Sequence, residues 1–134
     1  MAKYKKKLDA DIRCPLEYGL TIFGGKSGEY PQKLYKALMN FKTVLTVWDD
    51  ARLVGLIRVL DDSEMLAQIH YVLVHPEYQG QGIAGRMVEY IKEKYKNFMY
   101  LELMPEDKNN VPFYEKHGFH VMENGAAMQI CNIN

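Results

Sequence analysis

The sequence predicts an α/β fold: a mixed sheet with one parallel pair of strands near its middle and helices packed on it. Three observations carry that expectation. An apolar run, Ile69 to Val74, stops at Pro76, as a strand does when a residue without an N–H arrives. A glycine-rich turn comes next, Gln79-Gly80-Gln81-Gly82-Ile83-Ala84-Gly85. Ile83, Met87, Ile91 and Tyr95 then recur every fourth residue with Val88 beside them, the apolar stripe of a helix. The chain next reaches a second strand at Phe98 to Leu103, which a right-handed crossover lays parallel to the first.

The remaining elements run from the N-terminus. Lys3 to Leu8 reads as a short strand. Pro15 to Phe23 reads as a helix, with Leu16, Leu20 and Phe23 at helical spacing, Pro15 suited to its first turn and Gly24-Gly25 to its stop. A second helix covers Gln32 to Asn40, with Leu34, Leu38 and Phe41 on one face. Thr43 to Trp48 is β-branched and apolar, Asp49 to Arg52 turns, and Leu53 to Leu60 is the partner strand of a hairpin. After a turn at Asp61 to Glu64, the strand Met65 to Val74 leads into the glycine turn. Beyond the parallel pair, Val111 to His117 is a short helix with Pro112 in its first turn and Gly118 at its end. His120 to Met122 and Ala126 to Cys131 read as a closing hairpin turned at Asn124-Gly125.

Bulk properties bound the function. A chain of 134 residues suits one domain, 1–134, with a single core. Lys plus Arg and Asp plus Glu stand at 17 each, a net charge of zero, which argues against a nucleic-acid partner. No apolar segment reaches the roughly 18 residues of a membrane helix. No apolar stretch comes after Lys3, Lys5, Lys6 and Lys7, so no signal peptide is expected. Cys14 and Cys131 match no metal or redox spacing, and reduced thiols in a cytoplasmic protein are expected. His70, His75, His117 and His120 show no metal-ligand spacing, so no metal is expected.

A strand, a glycine turn and a helix start aim unpaired backbone N–H groups and the positive end of a helix dipole at one point, which attracts phosphate. The turn is not succeeded by Gly-Lys-Ser/Thr, and the glycine spacing is not that of a dinucleotide fingerprint. Preceded by Val74-His75-Pro76-Glu77-Tyr78, the run Gln79-x-x-Gly82-x-Ala84 resembles the coenzyme A pyrophosphate loop of the GNAT superfamily of acyl-CoA-dependent N-acetyltransferases. Phe113-Tyr114-Glu115-Lys116-His117-Gly118-Phe119 is similar to that family's closing motif. The resemblance runs from about Leu34 to Ile130. Residues 1–27 weakly resemble the opening of small winged-helix regulators, at Arg13 to Tyr18 and Gly24 to Lys26, but the chain beyond them has no winged-helix body and DNA binding is not implied.

The resemblance implies a GNAT fold, with helices on both faces of a mixed central sheet and a parallel strand pair that splays apart. It implies acetyl-CoA as co-substrate, with the pantetheine arm on the backbone of Val72, Leu73 and Val74 and the pyrophosphate on Gln79, Gly80, Gln81, Gly82, Ile83 and Ala84. Tyr114 matches the usual general acid. The acceptor implied is a primary amine of a small molecule or peptide, and relatives often form homodimers, for which Ala126 to Ile130 offers an edge. The base stays open. Where several members carry a carboxylate, this chain has Gln68, His70 and Tyr71, so His70, Glu102 on the neighbouring strand, and water are all candidates. The missing carboxylate also motivates a different class of function, a non-catalytic acyl-CoA-binding module or sensor.

Overall fold

The computed structural model describes residues 3–6, 29–40 and 43–132. The chain divides into two compact units, Met1–Leu103 and Met104–Asn134.

The first unit holds a five-stranded sheet. Its strands are β1 (Lys3–Lys6), β2 (Thr43–Asp49), β3 (Arg52–Asp61), β4 (Leu66–Val74) and β5 (Tyr100–Leu103). They lie in sequence order, antiparallel except for the parallel pair β4–β5. That pair is at the edge of the sheet among the described residues, not near its middle as the sequence suggested. The expected helix at Pro15 to Phe23 lies outside the described residues.

Helices cover both faces. Helix α1 (Pro31–Met39) opens on proline at its first turn. Its Leu34 and Leu38, four residues apart, pack with Val44, Trp48, Leu53 and Leu56 of the hairpin, and Tyr71 and Leu73 of β4 join them. Trp48 is therefore core, with its indole N–H given to Thr46 Oγ1 at 2.8 Å. The alternate residues of the same strands, Leu45, Val47, Ile57, Val59, Ala67 and Ile69, are buried on the opposite face. Helix α2 (Ile83–Lys94) lies there and buries Ile83, Met87, Val88 and Ile91.

Helix α2 is fastened at both ends. At its start, a Cβ added to Gly55 of β3 would stand 3.1 Å from Ile83 Cγ2 and 3.3 Å from Val47 Cβ. A glycine inside a strand marks such a close approach. At its end, the buried Tyr95 hydroxyl donates to Asp61 Oδ2 at 2.6 Å and lies 2.7 Å from Thr43 Oγ1. Burial, with the hydrogen bond to Asp61, pushes the Tyr95 phenol up to about 12.

In the second unit, a short 3₁₀ turn (Lys108–Asn110) leads into helix α3 (Val111–Lys116). The expected closing hairpin is not formed. Its turn closes, with the Gly125 N–H donated to Met122 O at 3.1 Å, but residues 119–132 contain no strand. Val121, Met122, Met128 and Ile130 all remain exposed. A two-stranded ribbon with no covered apolar face is marginal at best in water, so turn chemistry alone does not produce a ladder.

Replacing Tyr95 by Phe leaves Asp61 and Thr43 without their phenol, which should cost about 1–2 kcal/mol and lower the melting temperature by several degrees in a thermal scan. The raised phenol pKa also sets a pH dependence. Its contribution is complete below the ordinary value of 10 and is lost as pH rises toward about 12. The Tyr95→Phe variant should therefore lose less stability than wild type between those pH values in denaturant titrations.

Candidate functional site

Strand β4 carries one residue more than its partner at His70, because Arg58 faces Tyr71 while Val59 faces Ile69. Such a bulge bends a strand and re-aims the residues beyond it. Strand β5 pairs only with the first part of β4, from Leu66↔Tyr100 to Ile69↔Leu103. The last five residues of β4 run on without it, which opens the expected gap between the parallel strands.

The register decides which amides face that gap. The His75 N–H donates to Val54 O of β3 at 2.7 Å. Hydrogen bonding alternates along an antiparallel ladder, so Leu73, two residues back and opposite Leu56, also turns its N–H toward β3. Val72 and Val74 face the other way, toward the open side. The sequence grouped Val72, Leu73 and Val74 together; the ladder separates Leu73, whose side chain also joins the α1-side cluster.

Past β4, a 3₁₀ turn (Pro76–Tyr78) leads to the glycine turn. The Gln79 side-chain amide donates back to Val74 O at 3.2 Å and closes this stretch on itself. Gly80 and Gly82 both have φ of +81°, the left-handed region where a side chain is strained, and a Cβ at either would meet nothing within 4 Å. Glycine is thus required here by backbone conformation, and the space beside it is open. Gly82 caps α2 with no side-chain hydrogen bond, and the first turn of α2 holds no acidic residue. The leading amides of Ile83, Ala84 and Gly85 have no intrahelical acceptor, so donors stand at the positive end of a twelve-residue helix. Gln81 is exposed, while the Ile83 side chain is buried against the sheet.

On the α1 face of the bulge the structure reveals a residue that sequence reasoning missed. Arg58, buried in β3, donates from Nε to His70 Nδ1 at 3.2 Å, with Nη2 2.5 Å from the same nitrogen. Its guanidinium carbon also stands 4.2 Å from the centre of the Tyr71 ring. Burial pulls the Arg58 pKa down to about 10, which leaves it a cation at neutral pH. Because a guanidinium only donates, His70 Nδ1 must carry the lone pair and Nε2 the proton. Glu102, the other candidate base, is half-buried on β5 in register with Gln68.

Tyr114 lies on α3 in the second unit, half-buried, with its ring 5.0 Å from Phe113 and 6.0 Å from Phe119 between centroids. Burial raises its pKa, so the phenol keeps its proton at neutral pH. The Gly-Phe part of the motif has a local purpose. Gly118 is left-handed at φ +93°, its N–H reaches Glu115 O at 3.0 Å, and the Phe119 N–H reaches Tyr114 O at 3.1 Å. This paired closure ends the helix and turns Phe119 back onto Tyr114. Among the described residues no cluster of His, Cys, Asp and Glu could hold a metal, and no helix is long and apolar enough to cross a membrane.

The acetyltransferase (GNAT) family profile matches residues 16–119 of this sequence. The chain belongs to the GNAT family. It is 31% identical over 121 residues to an uncharacterized N-acetyltransferase from Bacillus methanolicus, covering 87% of this chain and 92% of that one. A solved structure from meticillin-resistant Staphylococcus aureus, described as a probable acetyltransferase of unknown function, superposes with a TM-score of 0.83 at 29% identity, over 98% and 99% of the two chains. A Clostridium acetobutylicum protein described as a predicted acetyltransferase, solved with acetyl-CoA, shares the fold at a TM-score of 0.69 and 16% identity, over 96% of each chain. This GNAT chain is therefore an acyl-CoA-dependent N-acetyltransferase, and the α/β sheet with its split parallel pair is the GNAT fold.

The glycines test the local argument. Gly82→Ala and Gly118→Ala each force a side chain into left-handed backbone and should each cost about 1 kcal/mol in chemical denaturation, while Gly118→Asn should cost less.

Proposed function

We propose that this protein transfers an acetyl group from acetyl-CoA to the primary amine of a small molecule or peptide, by direct attack of the amine on the thioester. The observation that carries the reading is the left-handed glycine turn at Gly80–Gly82, whose open surroundings and unfilled helix-start amides suit a pyrophosphate. Gln79 to Ala84 hold that group, largely through backbone N–H. The outward amides of Val72 and Val74 take the pantetheine arm, and one of them donates to the thioester oxygen as it gains negative charge. The Clostridium relative, solved with acetyl-CoA, supports the choice of donor.

Attack by the amine makes a carbon–nitrogen bond, and collapse of the adduct breaks the carbon–sulfur bond. The departing thiolate then needs a proton. Tyr114 supplies it: its phenol is protonated at neutral pH, and its ring is held by Phe113 and Phe119. The proton lost by the acceptor does not go to His70, because Arg58 already fills the Nδ1 lone pair and Nε2 carries hydrogen. Glu102 or water receives it.

A thiol-release screen of acetyl-CoA against amines, amino acids, polyamines, aminosugars and peptide N-termini tests the activity, and silence across the panel with tight acetyl-CoA binding would instead identify a sensor. Tyr114→Phe should lower kcat about 100-fold while leaving acetyl-CoA affinity in calorimetry unchanged. His70→Gln should keep kcat within about threefold and preserve the acidic limb of its pH profile, as expected of a residue that is not the base.

A further inference from the structure

We infer that Tyr78 and Arg52 are positioning residues, which fasten the turn between β2 and β3 to the chain just ahead of the glycine turn and thereby hold the Gly80–Ala84 amides ready for a pyrophosphate. The inference rests on reading that turn as the coenzyme A loop.

The glycine turn contains little that would fix it. Side chains are absent at 80 and 82, and a Cβ placed at either would meet nothing within 4 Å. Its bonds include the Gln79 side chain to Val74 O, a long Gln79 N–H to Pro76 O contact of 3.5 Å and, where the helix begins, the Arg86 N–H to Gly82 O at 3.1 Å. Glycine gains its left-handed geometry at the cost of a larger conformational entropy, so a loop built this way is ordered only when its ends are held.

The upstream end is held from another part of the chain. Tyr78, half-buried two residues before Gly80, donates its phenol to Asp49 Oδ2 at 2.5 Å. The carboxylate raises the phenol's pKa, which keeps Tyr78 a donor. Arg52 comes from the other side of the same β-turn, where Asp49 and Arg52 are register partners. One guanidinium nitrogen lies 2.7 Å from Glu77 Oε2 and 3.1 Å from His75 Nε2, and the guanidinium carbon lies 5.6 Å from the centre of the Tyr78 ring. His75 adds two contacts of its own, accepting the Glu77 N–H at Nδ1 and donating its N–H to Val54 O. Each exposed ion pair of this kind is weak alone. Here an ion pair, a phenol–carboxylate bond and a ring contact converge on two consecutive residues, Glu77 and Tyr78, and limit how the next four can move. The β2–β3 turn thus acts as the outer support of the glycine turn.

Loss of the fastening should weaken the donor's pyrophosphate end alone. In Tyr78→Phe the ring stays beside the Arg52 guanidinium, while the hydroxyl's bond to Asp49 and its interaction with Arg52 are lost. Calorimetry should show acetyl-CoA binding about 5- to 10-fold more weakly to this variant and to Asp49→Asn, with the double variant no worse than either single. S-acetylpantetheine, which lacks the pyrophosphate, should shift the Val72 and Val74 amide resonances equally in wild type and variants. Amide hydrogen exchange at residues 79–85 should quicken in the variants while the rest of β2 and β3 keeps its protection. A wild-type chain that fails to bind acetyl-CoA overturns the loop reading and this inference with it. A wild type that binds, beside a Tyr78→Phe variant that binds equally well, overturns the fastening alone. Equal weakening toward S-acetylpantetheine, or additive effects in the double variant, also overturns it.

Discussion

The close approach of Ile83 to the backbone of Gly55 is the constraint on which the rest of this protein depends. It allows α2 to begin directly above the sheet, after the 3₁₀ turn and the glycine turn that lead out of β4. The helix start is pressed down at that point, above the β3 position that pairs with Val74. A larger residue at 55 would have to push Ile83 or Val47 aside, and the helix start would move with it. The far end of α2 is tied independently, by Tyr95 to Asp61 and Thr43. A helix held at both ends has little freedom to tilt, so the donor array at its start is part of the scaffold.

The opening between β4 and β5 has an equally local origin. The extra residue at His70 bends β4, and the four-residue β5 stops at Leu103. The rest of β4 is a strand with one edge satisfied by β3 and the other past the reach of β5. Unpaired strand edges invite an extended partner, and proteins commonly blunt them. This chain leaves the amides of Val72 and Val74 uncovered by β5, in keeping with an enzyme whose donor carries a long amide-bearing arm.

The bulge also sits beside a buried cation on β3. Arg58 holds its charge at neutral pH despite burial, with His70 and Tyr71 around it. The contact changes what His70 can do. An imidazole whose Nδ1 accepts from a guanidinium carries its proton on Nε2.

The amino-acid sequence by itself determined the elements and the family. Apolar spacing marked α2, the β-branched runs marked the hairpin, and two short motifs identified a GNAT acetyltransferase, because strand periodicity, helix periodicity and glycine turns are local properties of a chain. Only the tertiary structure decided the rest. It placed the parallel pair at the sheet edge, and it left Ala126 to Cys131 outside any ladder because a turn cannot form a strand without a surface to cover. It separated Leu73 from Val72 and Val74, since which edge an amide faces is set by register against β3. It paired Arg58 with His70, and Tyr78 with Asp49 across 29 positions of sequence. Such pairings depend on which strands become neighbours, and no window of sequence contains that information.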